Sequence, residues 1–184
     1  MIAVADKSKR FGPRFGRKAQ SGFSLIEVLV AALVLSIGLV GVAALQALSL
    51  QNNQSSFMRS QATALAYDLA DRARANLSSA TNNLYNPATA TLTTSCLTTV
   101  GCSPQQLAQH DLAEWTAAVA TALPMGTGFI CLDSTPNDGT GTGDPQCDAS
   151  GNQVAVKIWW DDNRDGVITM SATESERLAI SFRL

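Results

Sequence analysis

The sequence predicts an α+β protein: one long N-terminal helix, membrane-spanning over its first half, packed on a small antiparallel sheet head with a second helix. Three observations carry that expectation. An apolar run from Phe23 to Leu50 contains a single charge, Glu27. No proline occurs between Pro13 and Pro87, so nothing interrupts helical hydrogen bonding through that run and beyond it. Past residue 100, one segment of helical period and three short strand-like segments are separated by loops rich in Asp, Gly, Thr and Pro.

The first 22 residues read as an address. Lys7, Lys9, Arg10, Arg14, Arg17 and Lys18 stand there against Asp6 alone. The whole chain has 13 basic and 15 acidic residues, so the net charge of −2 hides a basic leader and a strongly acidic remainder. Positive flanks stay cytoplasmic, which places the start of the following helix inside and its far end outside. The run from Phe23 to Leu50 exceeds the roughly 7–15-residue core of a secretory signal, and Ala44-Leu45-Gln46-Ala47 is a poor cleavage site. A plain signal anchor fits the length, since about 20 apolar residues cross a bilayer. It leaves Glu27 and the Gly22–Phe23 junction unexplained. A carboxylate near the centre of a spanning helix costs about 2.5–3.5 kcal/mol, so Glu27 requires a partner or a task.

Gly22-Phe23-Ser24-Leu25-Ile26-Glu27-Val28-Leu29-Val30-Ala31, behind a basic leader and at the head of a spanning helix, closely resembles the N-terminal motif of type IV pilins and pseudopilins. The resemblance implies a class III leader and the type IV pilin fold. It also implies that a prepilin peptidase cleaves between Gly22 and Phe23 and N-methylates Phe23. Glu27 would then pair with the N-terminal amine of an adjacent subunit. Opposite charges attract strongly in a low-dielectric setting, but desolvation takes back much of the gain, so such a pair sets axial register more than net stability. Many major pilins carry a proline in this apolar segment; its absence here favours a minor pilin or pseudopilin. Residues Ala64 to Asn76 are similar to the matching helix of the PilV group, the type IV pilus modification proteins, as is 103–184 around the second helix and Trp159-Trp160-Asp161-Asp162. A contact from Asp68 and Arg72 to a partner minor pilin is one reading of that helix; a solvated i,i+4 pair is the plainer one.

The expected organisation is a removed leader over 1–22, a transmembrane or filament-core half-helix over 23–50, an amphipathic half over 51–77 and a periplasmic head over 78–184. Ala62, Leu65, Ala66, Leu69, Ala73 and Leu77 recur at helical spacing, and the helix should reach roughly 50 residues, about 75–80 Å. Residues 78–101 read as a loop. Ser103-Pro104-Gln105-Gln106 predicts an N-cap, a proline in the first turn and a capping box, with Ala108, Leu112, Trp115, Val119 and Ala122 as the apolar face and Pro124 past the end. Strands are expected at Gly128–Leu132, Val154–Trp160 and Arg177–Leu184, with Asp133–Gly151 an exposed loop between the first two.

Cys96, Cys102, Cys131 and Cys147 all fall in the part expected to face an oxidising compartment, where an even count points to two disulfides. Three pairings are possible; Cys96–Cys102 with Cys131–Cys147 is preferred because each closes one loop-rich segment. No C-x-x-C redox pair and no zinc spacing is present. Asp161, Asn163, Asp165, Gly166 and Ile168 match the opening half of a calcium loop, but Ala172 stands where the bidentate Glu belongs and Glu174 comes two residues late. A hairpin turn explains the same residues more simply. His110, the only histidine, reads as exposed or capped, and the three tryptophans as core. Catalysis, a cofactor and nucleic-acid binding find no support.

What the resemblance implies is therefore a non-enzymatic minor pilin. It would sit in the bacterial inner membrane with its head in the periplasm, then pass into the fibre, tip included. Its partners would be other minor pilins, the major pilin, prepilin peptidase, the inner-membrane assembly platform and membrane lipid. A type II secretion or competence pseudopilin shares the same motif. A membrane-tethered periplasmic binding protein or hydrolase is the reading from another class.

Overall fold

The computed structural model describes residues 22–85, 87–168 and 176–183. Residues 1–21 and the stretch holding Ala172 and Glu174 lie outside them, and so does the body of the expected leader. The chain divides into a unit ending at Gln46 and a unit beginning at Ala47.

Helix α1 spans Leu25–Ala75, 51 residues, and starts where the Ser24 carbonyl accepts from the amides of Glu27 and Val28. Within the first unit every described residue is exposed, including Phe23, Ile26, Leu29, Leu33, Ile37 and Val40. In the second unit α1 turns amphipathic and buries Met58, Ala62, Ala66, Leu69, Ala70 and Ala73. That near-continuous column of alanines lets neighbouring elements approach closely.

The helix ends earlier than its period suggests. At Asn76 the backbone leaves the helical region, at φ −116° and ψ 57°, and its side-chain amide donates to the Pro104 carbonyl at 2.7 Å. Leu77, expected on the buried face, consequently lies half exposed at the start of a one-turn helix, α2, Leu77–Thr81. The segment expected to be a plain loop thus contains α2 and two 3-10 turns, Pro87–Thr89 and Thr94–Leu97.

Helix α3, Pro104–Ala122, begins with the full capping box: Ser103 Oγ accepts from the Gln106 amide, and Gln106 Oε1 accepts from the Ser103 amide. Ala108, Leu112, Trp115 and Val119 are buried, but Ala122 is exposed and Leu123, just past the helix, is buried in its place. The chain turns extended at Leu123, which swings its side chain inward.

Strands β1, Thr127–Leu132, β2, Gln153–Trp159, and β3, Arg177–Arg183, form an antiparallel sheet in the order β1-β2-β3. Ile130 pairs with Val156, and Val156 with Ile180. Val154, Val156 and Ile158 face the core built with α1 and α3. The opposite face of β2 is buried as well: Ala155, Lys157 and Trp159 are all inaccessible. The Asp133–Gly151 segment, expected to be an exposed loop, shuts off part of this face. It brings Asp133, Asp138 and the Pro145 carbonyl onto Lys157, and Arg177 donates to the Gly139 and Asn137 carbonyls. Its rim is exposed, but a charged strand residue ties down its inner side.

Candidate assembly site

Gly22, Phe23 and Ser24 precede the helix, and Phe23 is exposed. Glu27 lies in the first turn of α1, where the unsatisfied amides of a helix N-terminus favour negative charge. Its side chain is exposed, and among the described residues no cation is paired with it. Around and beyond it runs a helical surface on which more than a dozen large apolar residues between Phe23 and Leu50 are open. Burial stabilises such a side chain by about 1.5–3 kcal/mol, so this surface is built for lipid or for neighbouring helices. The geometry therefore offers one acid at the start of a continuous apolar cylinder.

Asp68 and Arg72 form the expected i,i+4 pair, at 3.1 Å. Arg72 does more than the sequence suggests. Its other nitrogen lies 3.2 Å from Asp111 and 3.0 Å from Glu114, both on α3. The Tyr85 hydroxyl adds contacts of 3.4 Å to Asp111 and 3.3 Å to the Arg72 carbonyl. Arg72 thus clamps α3 to α1 inside the head, while Arg74 pairs with Asp71 and lies 4.6 Å over the Phe182 ring. His110 is buried, not exposed: its Nδ1 accepts from the Thr93 amide at 3.0 Å, and Glu114 lies 3.5 Å from Nε2. The chain before the second 3-10 turn folds back onto α3, which the local sequence does not reveal.

The cysteines are joined as Cys96–Cys102 and Cys131–Cys147. Cys131, Asp133 and Cys147 lie close enough to share an ion, but both sulfurs are committed to the disulfide. At Asp161–Ile168 the acidic residues serve the turn. Asp161 Oδ2 accepts from the Gly166 amide at 2.8 Å, Asn163 Oδ1 from the Asp165 amide at 2.9 Å, and Asp165 Oδ1 from the Val167 amide at 2.8 Å. The turn is fastened to α1 by the Ser55 hydroxyl, which donates to Asp162 at 2.6 Å, and to the core by the Trp160 indole, which donates to Asp162 at 2.8 Å.

Residues 17–43 match the model of the prokaryotic N-terminal methylation motif, and residues 44–113 match that of the family described as type IV pilin Tt1218. The fold is that of a type IV pilin. The first match frames the Gly22–Phe23 junction and Glu27; the second runs through the amphipathic half of α1 and ends inside α3. No curated protein and no solved structure matches the chain. The motif and the exposed apolar helix fit a membrane-anchored pilin that becomes part of a pilus.

Proposed function

We propose that this pilin is a minor subunit, of the kind represented by the PilV group, that helps start pilus assembly with other minor pilins and is built into the fibre. The observation that carries the reading is Glu27, a lone exposed carboxylate at the start of an apolar helix, four residues beyond the junction that the methylation motif frames. A prepilin peptidase would cut between Gly22 and Phe23, leaving a methylated amine at the head of the helix for a sibling's Glu27 to meet. The absence of proline between Pro13 and Pro87 supports a minor over a fibre-building major subunit. With the helix in the inner membrane, the two disulfides and the acidic head would lie on the periplasmic side. A structural role in a fibre needs no catalytic group.

The mature protein is expected to begin at N-methyl-Phe23. Intact-mass analysis from a peptidase-competent strain checks this, and retention of residues 1–22 would contradict it. Deletion is expected to remove surface pili and leave enzyme secretion unchanged; the opposite outcome would point to a secretion pseudopilin. Because Asp161 Oδ2, Asn163 Oδ1 and Asp165 Oδ1 already accept amides of the turn, millimolar calcium is expected to leave the melting temperature unchanged. A rise would assign the turn to calcium instead.

A further inference from the structure

The outer face of the sheet encloses a charged cluster that fibre assembly does not use. Lys157 lies in the middle of the central strand, and its side chain is 0% exposed, as is that of Asp133. The lysine nitrogen is 2.6 Å from Asp133 Oδ2, 2.6 Å from Asp138 Oδ1 and 2.8 Å from the Pro145 carbonyl. Buried polar atoms ordinarily obtain hydrogen bonds. Asp133 Oδ2 is buried and makes no hydrogen bond; its close partner is the lysine nitrogen of the ion pair. The other carboxyl oxygen, Oδ1, is held by the Thr135 amide at 2.9 Å, and the Thr135 hydroxyl donates to Asp138 Oδ2 at 2.7 Å.

These groups make up more than an ion pair requires. The lysine nitrogen lies 2.6 Å from one oxygen of a buried carboxyl group. A backbone amide is aimed at one oxygen of that carboxyl, and the other oxygen meets the lysine nitrogen. A second carboxylate, partly open to solvent, touches the same nitrogen. We propose that Lys157 and Asp133 join in an intramolecular isopeptide bond after the head has folded, with Asp138 carrying the proton. One ammonium proton passes across the 2.6 Å contact to Asp133 Oδ2, which leaves a neutral amine beside a neutral carboxylic acid. Nζ attacks Asp133 Cγ, and negative charge gathers on Oδ1 facing the Thr135 amide. The second proton leaves the attacking nitrogen for Asp138, 2.6 Å away, and passes on to Oδ2, which departs as water. An ammonium and a carboxylate thereby become an amide and one water, with no oxidant or activating group required.

Two physical effects favour the step. Fixed contact between reacting groups replaces a bimolecular encounter, worth effective molarities of about 10⁵–10⁸ M in well-oriented cases. The product also replaces two opposite charges in a dry site with a neutral amide, removing the desolvation penalty that each buried ion carries. The bond would tie the start of the segment after β1 to mid-β2, beside the Cys131–Cys147 disulfide. The part of the head covering the sheet would then be closed by two covalent links, suited to a subunit in a fibre under tension. This inference does not depend on the minor-pilin assignment.

Intact-mass analysis of the full detergent-solubilised chain, after disulfide reduction, tests it. The expected result is one water less than the mass of the processed sequence, with fragmentation finding a branched peptide that joins Asp133 to Lys157. Asp138→Asn and Lys157→Met are each expected to restore the full mass. A full mass in the parent chain overturns the proposal, and so does a lighter mass that persists in Lys157→Met, because the water would then have been lost elsewhere.

Discussion

Replacing Glu27 with Leu is expected to leave membrane insertion and leader cleavage intact while reducing incorporation into the fibre by roughly a hundredfold or more. The variant makes the apolar run complete and eases insertion of the helix, by less than the roughly 2.5–3.5 kcal/mol that a charge costs at a helix centre, since Glu27 lies in the first turn. Cleavage acts at Gly22–Phe23, four residues upstream, so it should proceed. Assembly is where the cost appears. A methylated amine carried into a dry helix bundle without its carboxylate is an uncompensated buried charge, and removing one partner of a buried pair costs about 3–5 kcal/mol. Since about 1.4 kcal/mol is tenfold in an equilibrium, the subunit should be nearly absent from sheared pili yet present in membranes at normal level. Immunoblots of the two fractions measure this directly. Glu27→Gln, which keeps the shape and loses the charge, should behave like Leu; incorporation of either at the parent level would remove the pairing from the account.

How legible the fold was depends on how local each cause is. The long helix follows from the absence of proline and an uninterrupted pattern over 51 residues, and α3 follows from Ser103 and Gln106 capping one another across three residues. Two departures lie at helix ends, one with a distant cause and one with a cause in the next residue. Leu77 keeps the period of α1, but Asn76 finds a partner in the Pro104 carbonyl, 28 residues away, and the helix stops there. Ala122 keeps the period of α3, but the extended turn at Leu123 supplies the core residue instead. The Asp133–Gly151 segment has the composition of an exposed loop; what draws it inward is a lysine on β2 whose burial no local pattern announces. A charged residue between Val156 and Ile158 in a strand reads as the solvated side of a period-2 alternation, and both sides of β2 turn out to be covered. For the candidate assembly site the position is reversed. Gly22, Phe23 and Glu27 are a contiguous motif readable without any tertiary information, and a single described subunit adds only that Glu27 is open and waiting.

Trp115→Ala is expected to lower the melting temperature of the head by roughly 10–20 °C, the largest effect of any single core substitution in α3. The indole is 1% exposed and holds α3 to α1 twice: through the core, and through its Nε1, which donates to the Leu65 carbonyl at 2.8 Å. Truncating a buried aromatic costs about 3–5 kcal/mol, a large share of the 5–15 kcal/mol typical of a domain, at roughly 2–8 °C per kcal/mol for chains of this size range. Gly128 on β1 shows why the site cannot relax around a smaller side chain without penalty. A Cβ there would overlap the indole, coming within 2.6 Å of Cζ3, so the strand was left bare to admit the ring. The two positions should therefore be coupled. Gly128→Ala alone is expected to destabilise, because the clash is with a rigid ring that α1 and α3 enclose. In the Trp115→Ala background the same change should be neutral or stabilising, since the added methyl enters the space the indole vacated. A double-mutant cycle on the melting of the detergent-solubilised chain reads that coupling as a loss in the parent that vanishes or reverses in the Trp115→Ala background. Additive losses, or a Trp115→Ala variant melting within about 2 °C of the parent, would mean that the indole does not key the helix to the sheet.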